Sequence, residues 1–258
     1  MDAKNNEDHL LSSVKNALLI LQSFTMDEPE KKVSDLAVSL GLNKSTVSRT
    51  MSTLASEGFV SKNPETKKYR LGFSILALSS IVNSNTDVYQ ESQPVLIKLV
   101  EDIGETAHIS ILDNLDVIYI QKLECNHPVR VLTHVGKRNP AYCTSSGKVL
   151  IANAEERIIQ KILENELHPF TKYTITNPKE LHTHLKNVKE EGFAFSMEEL
   201  LEGVNSIAAP IYDYTGKVIA SLSVVGPKQR IQPNKIRPIA KKVINASMEI
   251  SDRLGYWR

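Results

Sequence analysis

The stretch from Val33 to Met51, VSDLAVSLGLNKSTVSRTM, carries small, turn-forming and apolar side chains at the spacing of a helix-turn-helix. That motif needs a small residue where its two helices cross, a glycine four positions later for the tight turn, and a β-branched apolar residue six further on. Ala37, Gly41 and Val47 meet these three requirements. The segment therefore predicts two short helices held at a fixed angle.

Helical periodicity on both sides extends this motif to three helices. Apolar residues recur at helical spacing from Ser13 to Thr25, with Ser12 or Ser13 available as the N-cap. Ser34 is the predicted N-cap of the second helix, and Asn43 that of the third. A three-helix unit near the N-terminus is expected.

The third predicted helix has two unlike faces. Val47, Met51 and Leu54 share one face, whereas the opposite face is rich in Ser and Thr. Because these hydroxyl residues are mediocre helix formers, their density favours a surface that closely approaches another molecule, such as the base edges and phosphates of DNA. The candidate contacts are Asn43, Lys44, Ser45, Thr46, Ser48, Arg49 and Ser52.

A basic β-hairpin is predicted after Gly58, in FVSKNPETKKYRLG, with its turn at residues 63–66. Residues 43–72 sum to a net charge of +4, although the whole chain carries only +1. A phosphate backbone senses this local charge, because salt limits electrostatic reach to roughly 8 to 10 Å. The alternative is an ordinary solvated charged face. The candidate backbone contacts of this wing are Lys62, Lys67, Lys68 and Arg70.

Length and composition set the wider frame. A chain of 258 residues with 41% hydrophobic and 24% charged residues favours two globular domains. No apolar run approaches a membrane span, and the acidic start lacks a secretion signal. Two cysteines suit a reducing compartment. A cytoplasmic protein without a membrane partner is therefore expected.

The predicted fold class is α+β, with a winged helix-turn-helix over residues 10–72, a linker helix over 73–86 and a second α/β domain over 87–258. The linker, Phe73 to Asn83, is apolar enough to be buried or interfacial, and Pro94 is expected to break or kink the helix that follows. A largely antiparallel sheet is expected next, including a strand in VRVLTHVG, residues 129–136. Such domains often enclose a small ligand.

The chain resembles the IclR family of bacterial transcription regulators over nearly its full length. Four stretches carry the resemblance: SVKNALLIL; KSTVSRTMSTLASEGFV with KYRLG; RNPAYCTSSGKVLIA; and EGVNSIAAPIYDYTGKVIASLSVVGP. The resemblance implies a GAF-like effector domain and homodimers or homotetramers on palindromic double-stranded DNA operators. It also implies repression of a catabolic or metabolic operon under a small organic, acidic effector. Asn43 departs from the family, in which Pro is common at this helix start.

The same resemblance supplies candidate effector contacts. A loop and helix start at Thr144, Ser145 and Ser146 would border the pocket, where hydroxyls and helix amides favour an anion. Strand alternation lets Ser206 and Ser223 face inward among Val204, Ile207 and Leu222, where a buried hydroxyl needs a partner. Val225 stands where some members carry a second ligand-binding Ser, and Ser196 where some carry an acidic contact. The complete candidate set is Thr144, Ser145, Ser146, Ser196, Val204, Ser206, Ser223 and Val225.

The sequence also contains the partial signatures of two other chemistries. Ser145 and Lys148 have the spacing of a Ser-x-x-Lys nucleophile pair, so a metabolic enzyme with an accessory helical domain is the alternative, although its companion motifs are missing. His182, His184 and His168 suggest a metal site, but the first two point in different directions on a helix. A regulator without catalytic residues, metal or cofactor is the prediction.

Overall fold

The computed structural model describes residues 11–84, 87–131 and 133–257. The chain divides between residues 85 and 86 into two compact units, Met1–Asn85 and Thr86–Arg258. The acidic start of the chain, residues 1–10, lies outside the described residues.

The first unit is a three-helix motif followed by a hairpin and a further helix. Its elements are α1 (Ser12–Gln22), α2 (Val33–Ser39), α3 (Lys44–Ser56), β1 (Val60–Lys62), β2 (Tyr69–Leu71) and α4 (Phe73–Ser84). One apolar core, formed by Ile20, Leu36, Val47, Met51 and Tyr69 with their neighbours, joins the helices to the hairpin. The predicted winged helix-turn-helix is confirmed.

The predicted N-caps of the first two helices are wrong, whereas that of the third is right in position. Helix α1 begins at Ser12 itself, after Leu11, and α2 begins at Val33, because Lys32 already has the extended backbone of a cap residue. The Ser34 hydroxyl lies inside α2 and donates to the Asp35 carboxylate at 2.9 Å. Asn43 occupies the N-cap position of α3, but its side chain makes no capping hydrogen bond.

Helix α4 is where an apolar helix was predicted, but it is not buried within the chain. Phe73 is 84% exposed, Leu76, Leu78 and Ile81 are exposed too, and Ile75 is half-buried. The prediction that this helix is buried within the chain is therefore wrong. The alternative, that it forms an interface, stays a prediction.

The second unit is built on one six-stranded antiparallel sheet in the order β5-β4-β3-β8-β7-β6. Its strands are β3 (Thr106–Asp113), β4 (Asp116–Leu123), β5 (Arg138–Pro140), β6 (Ala194–Met197), β7 (Val204–Tyr212) and β8 (Val218–Pro227). Its helices are α5 (Asp87–Ile103), α6 (Ser145–Ala152), α7 (Glu156–Glu164), α8 (Pro178–Glu191) and α9 (Ile236–Arg253).

Two predictions in this unit are corrected. The described residues of 129–136 form no strand; the strand beside β4 is Arg138–Pro140. The Val129 side chain that suggested alternation is exposed, with no neighbouring strand to pack against. Helix α5 continues through Pro94, so the break that was one of the two expected outcomes does not occur.

The two faces of the sheet have different linings because side chains alternate along each strand. Ile109, Ile207 and Leu222 pack with α5 and α9 in one core. The opposite face packs against α6, α7 and α8 in a second core, and it carries the intervening residues, among them Ser110 and Ser206. The predicted α+β fold class is confirmed, and its polar strand residues lie on the α6 side.

Candidate functional site

The helix-turn-helix of the first unit has the packing that its sequence predicts. Ala37 and Val47 are buried, and Leu42 N donates to Ala37 O at 3.0 Å across the turn. Gly41 has a φ of +64°, a conformation that side chains with a Cβ rarely adopt. This turn fixes the orientation of α3.

The outer face of α3 is exposed and divides into two parts. Towards the C-terminal end, the hydroxyls of Ser52 and Thr53 donate to carbonyls one turn earlier, at 3.0 and 3.2 Å. In the first turns, Ser45, Thr46 and Ser48 donate to no acceptor among the described residues. The free hydroxyls therefore cluster at the helix N-terminal end, the part of a recognition helix that meets base edges.

Charged and amide groups accompany these hydroxyls. Arg49 and Lys44 are exposed and form no ion pair within the described part of the chain. The Asn43 amide is likewise free, because it does not cap α3. Each can contact an external anion without first breaking an internal bond.

The wing is a short hairpin whose turn is held by Asn63. Its Oδ1 accepts from Glu65 N at 2.9 Å and from Thr66 N at 3.1 Å. Lys62 Nζ lies 5.3 Å from the centre of the Tyr69 ring, and Arg70 Nε donates to Ser61 Oγ at 3.1 Å. Lys67 sits at the tip with a φ of +59°. Lys62, Lys67 and Arg70 are exposed and Lys68 is half-buried.

The second unit contains a cavity of about 250 Å³ between α6 and the sheet. A cavity of this kind is suited to a small organic molecule. All eight predicted effector residues line it: Thr144, Ser145, Ser146, Ser196, Val204, Ser206, Ser223 and Val225. A cleft of about 530 Å³ beside α8 contains none of them.

Most hydroxyls at the α6 end of the cavity are already bonded. Thr144 Oγ1 caps α6 by accepting from Gly147 N at 3.0 Å, and Ser145 Oγ donates to Ser206 Oγ at 2.8 Å. Ser110 Oγ donates to Ser146 Oγ at 3.3 Å, and Ser196 Oγ donates to Cys143 O at 3.0 Å.

Ser223 differs from these hydroxyls. It is 3% exposed and lines the cavity, and its hydroxyl has no hydrogen-bond partner among the described residues. A buried hydroxyl without a partner costs free energy that a bound ligand would recover.

The predicted surroundings of Ser206 need correction. Ile207 and Leu222 belong to the core on the α5 and α9 side. Of the three predicted apolar neighbours, only Val204 lines the cavity together with Ser206. Ile207 is the next residue along β7, and Leu222 lies on the opposite face of β8 from Ser223, so the pleat turns both away.

The sequence reading missed a second polar group of lining residues: His108, Tyr119, Thr133, Lys137, Asn139 and Cys143. His108 stacks on Tyr119 with ring centres 4.4 Å apart, and its Nε2 lies 2.6 Å from Thr133 Oγ1. Burial, then the charges of Lys122 and Lys137, lower the pKa of His108 to about 3. The imidazole is therefore neutral at pH 7. The alternation of His108 and Ser110 with apolar residues in β3 was the available signal.

The Ser145 and Lys148 pair does not form. Lys148 is fully buried and its Nζ pairs with the Glu199 carboxylate, while Ser145 bonds to Ser206. Burial lowers the pKa of Lys148 and raises that of Glu199, while each charge favours the other. The lysine anchors the loop after β6 and activates no nucleophile.

The histidines considered for a metal do not converge. His184 meets Phe195 edge-on at 5.7 Å, and burial lowers its pKa to about 4. Within the ranges that the structure describes, no three His, Cys, Asp or Glu residues are grouped to hold a metal ion. None of the described helices is both long and apolar enough to cross a bilayer.

Comparisons with known proteins agree with both units. The IclR helix-turn-helix domain matches residues 13–64, and the C-terminal domain of bacterial IclR transcriptional regulators matches residues 81–252. The regulator XynR of Escherichia coli K12 is 32% identical over 248 residues, covering 96% of this chain and 98% of XynR. The repressor AllR of the same strain is 29% identical, covering 94% and 90%. An IclR regulator structure from Alicyclobacillus acidocaldarius superposes with a TM-score of 0.85 at 28% identity, covering 96% and 100%.

Proposed function

This chain belongs to the IclR family of bacterial transcriptional regulators, and we propose that it represses a metabolic operon until a small organic acid enters the cavity of its second unit. Its family and relatives are DNA-binding transcription regulators. The enzymatic alternative is therefore wrong, in agreement with the separation of Lys148 from Ser145. The operator, the effector and the direction of control are the proposed parts.

In the proposed complex with DNA, α3 contacts base edges in the major groove and the wing contacts the sugar-phosphate backbone. The free hydroxyls of Ser45, Thr46 and Ser48 and the unpaired Arg49 lie on one exposed face, which suits the donor and acceptor pattern of the major groove. The exposed cations of the hairpin suit phosphates, whose contacts position a protein without selecting sequence.

A palindromic operator requires two copies of the reader. Supporting a homodimer, large apolar side chains on α1 and α4 remain exposed in the single chain, among them Leu18 at 54%, Phe73 and Leu76. Large apolar side chains exposed in this number favour an interaction site. A second copy of this chain is the proposed occupant, as a dimer or as a pair of dimers.

On the effector side, the observation that carries the proposal is the cavity itself. All eight predicted residues line it, the amide end of α6 opens beside them, and the buried Ser223 hydroxyl lacks a partner. No described lining residue carries a carboxylate. A helix N-terminus with hydroxyl donors and no negative charge favours a carboxylate.

Control follows from linkage. An acid can weaken operator binding only to the extent that it binds the DNA-incompetent state more tightly than the competent one. For a regulator of this kind, a coupling of about 1 to 3 kcal/mol changes operator affinity by roughly 5- to 150-fold.

The test measures binding of the full-length protein to DNA flanking its own gene by fluorescence anisotropy, with and without a panel of small organic acids. We expect salt-dependent, sequence-specific binding that at least one acid weakens. Absence of specific binding at every salt concentration, or indifference to every acid, would contradict the proposal.

A matched pair of serines tests the cavity. Ser223→Ala should leave operator affinity unchanged but reduce the response to the acid, because the ligand loses a buried donor. Ser221 is the control: it lies two residues away on β8, is fully buried, also lacks a partner and does not line the cavity. Ser221→Ala should leave the acid response intact.

A further inference from the structure

The effector cavity has a second polar end that the proposed carboxylate site at α6 does not use. Lys137, Asn139 and Thr133 lie there, beside the stacked rings of His108 and Tyr119. Because burial keeps His108 neutral, Lys137 supplies the one full charge of the described lining.

Lys137 differs from the other cations around it. Lys122 pairs with Glu124 and donates to Thr133 O, and Arg138 pairs with Asp113. Lys137 is half-buried beside the cavity and forms no ion pair within the described part of the chain. A partly desolvated ammonium without a counter-charge favours an anion from outside the protein.

The two positive ends of the cavity are separated across the sheet. Lys137 O accepts from Tyr119 N of β4 at 3.2 Å, and Ser223 on β8 lies opposite His108 on β3. Three strand spacings of about 4.8 Å therefore put the backbones of Lys137 and Ser223 at least about 14 Å apart across the sheet, and the Lys137 side chain covers part of this distance. A single ligand with an anionic group at each end of the cavity can therefore have several carbon atoms between the two groups.

We propose that Lys137 binds the second carboxylate of a dicarboxylic effector whose first carboxylate lies at α6 and Ser223. This inference rests on the proposed function, since it assumes that the cavity binds an acid. It adds the chemical class of that acid and names Lys137 as the residue that selects it.

The experiment titrates full-length protein with the straight-chain dicarboxylates from malonate to pimelate and with the monocarboxylates of equal carbon number, by isothermal calorimetry. We expect at least one diacid to bind about tenfold or more tightly than its monoacid, the size of a charge-assisted hydrogen bond. Lys137→Met should bring this ratio close to one while leaving monoacid affinity within about threefold. Lys137→Arg, which keeps the charge, should retain most of the preference.

Lys186→Met is the matched control, because Lys186 is exposed on α8 and does not line the cavity. Its diacid preference should equal that of the unmodified protein. If monoacids bind and weaken operator binding but Lys137→Met leaves the ratio unchanged, the inference fails and the proposed function stands. If acids of both series fail to bind, the inference and the acid effector both fail.

Discussion

The two units of this chain use their polar groups in opposite ways. In the first unit, Ser45, Ser48 and Arg49 face solvent around an apolar core, and the core contains Ile20 and Met51. In the second unit, a lysine, a glutamate, a histidine and several serines are buried between α6 and the sheet. Substitutions should therefore separate binding from stability in the first unit and affect both together in the second.

The largest expected effect is on the buried Lys148 and Glu199 pair. Lys148→Met should lower the free energy of unfolding of the second unit by about 3 to 5 kcal/mol, because Glu199 then remains buried without a counter-charge. Differential scanning calorimetry measures this loss.

Two further variants check this interpretation. Adding Glu199→Gln to Lys148→Met should recover part of the loss, because no charge then remains unpaired. The exposed pair of Lys98 and Glu249, 3.4 Å apart, offers the comparison: Lys98→Met should cost less than about 1 kcal/mol. If Lys148→Met and Lys98→Met lowered the free energy of unfolding equally, burial would not explain the importance of the Lys148 and Glu199 pair.

The next effect concerns pH. The pKa of His108, about 3 in the folded chain, lies below the ordinary value of about 6.5, so the unfolded state takes up protons first as pH falls. Its contribution to stability is complete above about pH 6.5 and declines by about 2 kcal/mol at pH 5. His108→Gln should flatten this part of the stability curve measured by urea unfolding, whereas the exposed His134→Gln should not. An unchanged slope in His108→Gln would contradict the prediction.

The first unit was predictable because its requirements are local. The motif requires a small residue at Ala37, a positive φ at Gly41 and a buried apolar side chain at Val47. Each requirement depends on one residue and its near neighbours, so residue type and spacing are enough to predict the motif. The N-caps were less predictable, because a shift of two residues, from Ser34 to Lys32, moves Ser34 from the cap into α2.

The cavity was predictable only in part, because it depends on which strands pair. Resemblance to a family located the serines near α6, which the structure brings together. Asn139 was missed because it lies in a strand of only three residues, β5, and Lys137 because it directly precedes that strand. The more regular alternation of residues 129–136 suggested a strand that does not form. The partner of Lys148 comes from a loop after β6, about fifty residues along the chain, and periodicity carries no information about such a contact.

A smaller effect is expected at the reading helix. Arg49→Ala should weaken specific operator binding by about 1 to 3 kcal/mol if Arg49 contacts a guanine edge. Because Arg49 is exposed and unpaired within the described residues, thermal stability should change by less than about 0.5 kcal/mol. Parallel anisotropy titrations against operator and random DNA separate the two kinds of binding. An equal loss of affinity for operator and random DNA would show that Arg49 contacts the phosphate backbone and not the base edges.

The smallest effect is expected at the wing tip, where Lys67 combines an exposed charge with a φ of +59°. Lys67→Ala should weaken binding to operator and random DNA equally, by less than about 1 kcal/mol, because one exposed phosphate contact is lost. The slope of log affinity against log salt should become shallower by about 0.9. Lys67→Asn removes the same charge but tolerates a positive φ more readily, so equal losses in the two variants would assign the effect to charge. If Lys67→Asn instead recovers affinity, the role of Lys67 is to adopt the positive φ of the turn and not to contact phosphate. The exposed polar groups of the first unit would then not all act in DNA binding, and the contrast with the buried polar groups of the second unit would not hold at the wing.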